Sequence, residues 1–128
     1  DFLSRTAAAL REKGILVCMF IAPDLEQVRA SRHAGADAVE IHTGAYCEAF
    51  RLGAHDVELS RIRAAAAYAD SLGLKVFAGH GLDVRNIVPV LDVAQIREFN
   101  IGHSIIARAL FLGLPAAVRE MADLVHGA

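Results

Sequence analysis

The run from Ile15 to Ile21, "ILVCMFI", is apolar at every position and never alternates with polar residues. A strand with one wet face alternates, so an unbroken run between Gly14 and Pro23 predicts a parallel strand buried on both faces. Parallel neighbours require crossover connections, usually helical. The flanks have that character. Leu3, Ala7 and Leu10 share a face between Phe2 and Lys13, and Gly14 supplies a stop. The chain opens on Asp1 and not on Met, so this segment reads as a helix already in progress and the chain as a piece of a longer protein. After the run, Pro23, Asp24 and Glu26 suit a first helical turn.

The same alternation continues. Asp37 to Gly44 predicts a second strand, and Ala45 to Glu58 a long loop without a clear period. Leu59, Ile62, Ala66, Ala69 and Leu72 then form the apolar stripe of a helix ended by Gly73. Leu74 to Gly81 is the third strand and Asp83 to Leu91 a short helix interrupted by Pro89. Ile96 to Gly102 is the fourth strand. A short helix runs from Ser104 to Leu112, and a last one from Pro115 to Val125 buries Val118, Met121 and Val125. One helix followed by four strand–helix units is an α/β pattern with a parallel sheet. Two architectures fit it: a small, open, doubly wound sheet, or four units of a (β/α)₈ barrel. A whole barrel typically needs about 250 residues, and the 128 residues here form one domain without an internal linker.

The apolar fraction of 55% with only 6% aromatics reflects Ala, Leu, Val and Ile, which suits this packing. A net charge of −2 gives no electrostatic reason to expect nucleic acid or an anionic membrane as partner. No apolar run is long enough to span a bilayer. Cys18 and Cys47 lack metal-ligand spacing, so no metal site is expected, and a reduced, cytoplasmic protein is the plain reading. Cys18 reads as a small core residue and Cys47 as a loop thiol.

In both architectures ligands meet the carboxyl ends of the strands, and the unusual residues fall there. The second strand ends in "EIHTG", the third in "AGHG", the fourth in "NIGH". Strand alternation turns Glu40, His42 and Asn100 one way, and Val39, Ile41, Thr43 and Ile101 the other, toward the helices. A glycine beside each of His80 and His103 lets a ligand approach the backbone. The helix after Gly102 begins with N–H groups that have no partner in the helix, a terminus suited to phosphate. Imidazole titrates near neutral pH, so His80 can move a proton. Glu40 would pair with it, orient it, or stabilise developing positive charge. His42 reads as structural, and His33, His55 and His126 as solvated.

The stretches "VEIHTGAYCEAF", "LGLKVFAGHGL" and "FNIGHSIIARALFLGL" closely resemble the C-terminal half of the pyridoxine 5′-phosphate synthase family. The resemblance is collinear over nearly the whole chain. It implies that residues 1–128 are a C-terminal half-barrel, within a (β/α)₈ barrel that forms higher homo-oligomers. It also implies condensation of 3-amino-2-oxopropyl phosphate with 1-deoxy-D-xylulose 5-phosphate, releasing phosphate and water, with no cofactor. His80 would be the proton donor and Glu40 the transition-state stabiliser. Gly81, Gly102 and His103 would bind the amino-ketone phosphate. The chain departs from the family at Phe77 and Ala22, where members usually carry Asn and Asp. The family's N-terminal strands, which hold the second substrate and its general base, have no counterpart here. The expected partners are therefore phosphorylated small molecules, further copies of the chain, or the N-terminal half. The other reading is a non-catalytic half-barrel that self-associates and binds phosphate.

Overall fold

A computed structural model describes residues 1–127. Strands β1 (Cys18–Ile21), β2 (Ala38–His42), β3 (Lys75–Gly79) and β4 (Ile96–Asn100) form one parallel sheet in the order β1-β2-β3-β4. Consecutive order without reversal is that of a barrel segment. A doubly wound sheet would reverse at a switch point. Helix α1 (Phe2–Glu12) precedes the sheet, and α2 (Leu25–His33) joins β1 to β2. Helices α3 (Gly44–Arg51) and α4 (Asp56–Ser71) join β2 to β3, and α5 (Val88–Leu91) joins β3 to β4. Helices α6 (His103–Leu112) and α7 (Leu114–His126) close the chain and pack on each other.

The helices cover one face of the sheet. Val39, Ile41, Val76 and Ala78 point into that layer and are fully or almost fully buried, against Ile62, Ala65, Ala66 and Ala69 of α4. Small alanines let α4 lie close to β2 and β3, which explains a helix rich in Ala at its buried stripe. Asp24 caps α2 by accepting from the N–H groups of Glu26 and Gln27 at 2.8 and 3.1 Å.

Several expectations change. Helix α1 runs from Phe2, and the Asp1 carboxylate accepts from the Leu3 N–H at 2.9 Å. The Ile15–Ile21 run is a strand only from Cys18, and it is not buried on both faces: Leu16 and Phe20 are 69% and 56% exposed and Cys18 is exposed. β1 is an edge strand covered by helices on one side only, so its other face stays open. The expected loop from Ala45 contains α3, whose buried Tyr46 and Cys47 pack in the core. An eight-residue helix, with only Tyr46 and Cys47 buried, leaves too little apolar periodicity to read. In α7, Met121 is buried with Ala117, but Val118 is exposed. His55 is not fully solvated; its ring packs on Phe50 and Tyr46 at centroid distances of 4.7 and 5.7 Å.

Candidate active site

The open face of the sheet ends in a cleft of about 390 Å³. Glu40, His80, Gly81, Gly102 and His103, the residues singled out from sequence, all line it, together with Phe20, Asn100 and Ser104. They arrive from different strands because the register aligns the strand ends: Glu40 lies beside Phe77, His42 beside Gly79, and Gly79 beside Asn100. Gly79 is required at that crossing. A Cβ there would collide with the Glu40 carboxylate and lie 2.8 Å from the Asn100 carbonyl. Phe77, one of the departures, shares the open face with Glu40 and is half-buried.

Glu40 meets a partner that differs from the one expected. Its Oε2 accepts from Asn100 Nδ2 at 2.9 Å, and no hydrogen bond among the described residues joins it to His80. The alternation of side chains on β4 had placed Asn100 on this face. Its pairing with Glu40 needed the strand register, which sequence does not give.

His80 is the only non-glycine among the described residues with positive φ, at 80°, and Gly81 follows at 84°. Such a backbone costs on the order of 1–3 kcal/mol and persists only when neighbours hold it. The neighbours are present. The buried Thr43 Oγ1 donates toward the Gly79 and His80 carbonyls at 2.8 and 2.7 Å. The Cys47 thiol also points to the His80 carbonyl, at 3.7 Å. Asn86 Nδ2 donates to the Gly81 carbonyl at 3.2 Å, and the Tyr46 hydroxyl fixes Asn86 through its carbonyl at 2.6 Å. Asp83 accepts from the N–H groups of Arg85 and Asn86, closing the turn. Burial opposes the charge on Asp83, but the Arg85 guanidinium and these two N–H groups outweigh it and hold its carboxyl below the ordinary range.

Burial pushes the Cys47 thiol up to about 11, although its contact with Thr43 works the other way. The thiol therefore stays protonated at neutral pH and acts as a packing group, not the loop thiol expected. Burial likewise pushes Tyr46 up to about 12, with Cys47 and Asp83 adding to the shift, so its hydroxyl remains a donor. Thr43, Tyr46 and Asn86 were not anticipated as supports for the site. The "HTG" triplet held a signal, because Thr43 was already assigned to the buried face.

Replacing Thr43 with Val is expected to lower the stability of the chain by about 1 kcal/mol, since the hydroxyl that bonds the Gly79 and His80 carbonyls is lost while the Thr43 N–H still reaches Gly79. Thr43→Ser should retain most of it. Urea denaturation of the three chains checks this, and equal midpoints for Thr43 and Val would remove the clamp.

The last strand leads into α6. Gly102 is its N-cap and makes no side-chain cap bond, and a Cβ on Gly102 would meet nothing within 4 Å. The first internal bond runs from the Ile106 N–H to the Gly102 carbonyl at 3.0 Å. The N–H groups of His103, Ser104 and Ile105 thus have no partner among the described residues. Ser104 Oγ donates to the Leu82 carbonyl at 2.6 Å and ties this terminus to the His80 turn. His103 is exposed at the mouth. The cleft thus brings together a helix start with open N–H groups, the His80 imidazole and the Glu40 carboxylate, groups of the kinds that can bind an anion and move a proton.

A parallel α/β sheet in consecutive strand order, with its cleft at the carboxyl strand ends, has the architecture of a β/α-barrel segment. The profile of the family described as "Pyridoxal phosphate biosynthesis protein PdxJ" matches residues 1–127, and the chain belongs to that family. Proteins named pyridoxine 5′-phosphate synthase are similar throughout. The one from Syntrophotalea carbinolica is 56% identical over 119 residues, covering 93% of this chain and 50% of the relative. The one from Trichlorobacter lovleyi is 52% identical over 124 residues, covering 97% and 52%. The one from Sulfurihydrogenibium sp. is 48% identical across 100% of this chain and 52% of the relative. The chain spans about half the length of the curated relatives it matches.

Proposed function

We propose that residues 1–128 form the C-terminal half-barrel of a pyridoxine 5′-phosphate synthase, the half that grips the amino-ketone phosphate and donates a proton. The substrates are 3-amino-2-oxopropyl phosphate and 1-deoxy-D-xylulose 5-phosphate, which condense with loss of phosphate and water. The observation that carries this reading is the single cleft in which the α6 start faces His80 and Glu40. The phosphate lies on the free N–H groups of α6, where the helix dipole favours anions. Gly102 admits it, because its position leaves the backbone uncovered. The Gly81 backbone and the His103 ring complete the cradle. His80 donates its proton during ring closure, and Glu40, held by Asn100, stabilises the positive charge that develops on the substrate nitrogen. The second substrate and its general base belong to the N-terminal half, whose strands would pair with the open edges of β1 and β4. Homo-oligomers build on that closed barrel.

The test is phosphate binding. Gly102→Val should fold, since the added side chain meets open space. It should abolish binding of inorganic phosphate and of the amino-ketone phosphate, read by calorimetry. Undiminished binding by Gly102→Val would remove the cradle.

A further inference from the structure

We propose that His42 is a positioning residue for His80: its ring is the platform that seats the His80 imidazole over the cleft. This rests on the reading of His80 as proton donor and adds a residue that acts through it.

The clamp on the His80 carbonyl fixes its backbone but not its ring. His80 is exposed, and its ring nitrogens make no hydrogen bond among the described residues. A free imidazole would spread over several rotamers. What holds the ring is a stack: the His42 and His80 centroids lie 4.4 Å apart with their planes 23° from parallel. His42 is itself fixed on its other sides. Its Nδ1 accepts from the Gly44 N–H at 3.2 Å, and the Phe20 ring leans on it with a centroid distance of 5.1 Å. Gly44 makes the room. A Cβ there would run into the His42 ring and lie 3.2 Å from His80 Cδ2.

The hydrogen bond also sets the chemistry of the platform. An Nδ1 that accepts carries no proton, so the His42 proton is assigned to Nε2.

Two substitutions separate the stack from the hydrogen bond. His42→Phe keeps a flat ring and loses the acceptor. His42→Asn keeps an acceptor near the Gly44 N–H and loses the ring. In the full-length protein bearing this half, His42→Asn should lower kcat by about 10–10²-fold, the scale of a misplaced catalytic group. KM for the amino-ketone phosphate should not move, and His42→Phe should restore kcat to near the parent value. Equal losses in the two variants would assign His42 to the hydrogen bond and overturn the platform. So would an unchanged kcat for His42→Asn beside a collapsed one for His80→Asn. If His80→Asn itself kept full activity, the reading of His80 would fall instead. Nitrogen-15 spectra of the parent protein give a test independent of any variant: His42 should appear as the Nε2–H tautomer, and an Nδ1–H tautomer would overturn the proposal.

Discussion

In the full-length protein bearing this half, His80→Asn is expected to lower turnover by about 10²–10⁴-fold, the usual contribution of a placed acid–base group. Asn is the informative replacement. Position 80 has a φ of 80°, and Asn tolerates that left-handed backbone better than Ala or a β-branched residue. The Thr43 clamp acts on the backbone carbonyl and survives the change. The fold and the α6 cradle should therefore persist, and phosphate binding should be largely intact. His103→Asn should do the reverse, weakening amino-ketone phosphate binding more than turnover, because His103 stands at the helix start and not at the strained turn. Steady-state rates with each phosphate substrate varied, beside calorimetric phosphate binding, read both halves of the comparison. An unchanged rate for His80→Asn would remove its assignment as proton donor.

Much of this arrangement was legible in the residues. Unbroken apolar strands, helix stripes and terminal glycines gave four parallel strands alternating with helices, as observed. Strand alternation put Glu40 and Asn100 on one face and Thr43 on the other, and each is found there. The less legible parts depend on what lies across space. The Glu40–Asn100 pair joins residues 60 positions apart through the register of β2, β3 and β4. The His42–His80 stack requires the left-handed turn at His80; positive φ at a non-glycine is uncommon even for histidine, which is enriched there, so the residue type alone does not reveal it. Phe20 and Cys18 misled for another reason: hydrophobicity marks a preference for burial, whereas exposure depends on which neighbours the sheet edge has. The open face that exposes them is the face the rest of a closed barrel would enclose, and the free edge of β1 is where its strands would join.

That edge leads to the second large effect. On the proposed reading, the cleft of this chain supplies the phosphate cradle and the proton donor, and the groups that hold and deprotonate 1-deoxy-D-xylulose 5-phosphate belong to the N-terminal half. Losing positioned acid–base and binding groups together removes most of an enzyme's acceleration, commonly about 10⁶-fold or more in total. The measurement is pyridoxine 5′-phosphate formation from both substrates, run with the 128-residue chain alone and with the same chain joined to an N-terminal half. The expected result is phosphate binding without synthesis for the chain alone, and synthesis once the halves are joined, lost again with His80→Asn. Robust turnover by the chain alone, or none in the joined protein while its phosphate binding is intact, would contradict the half-barrel synthase.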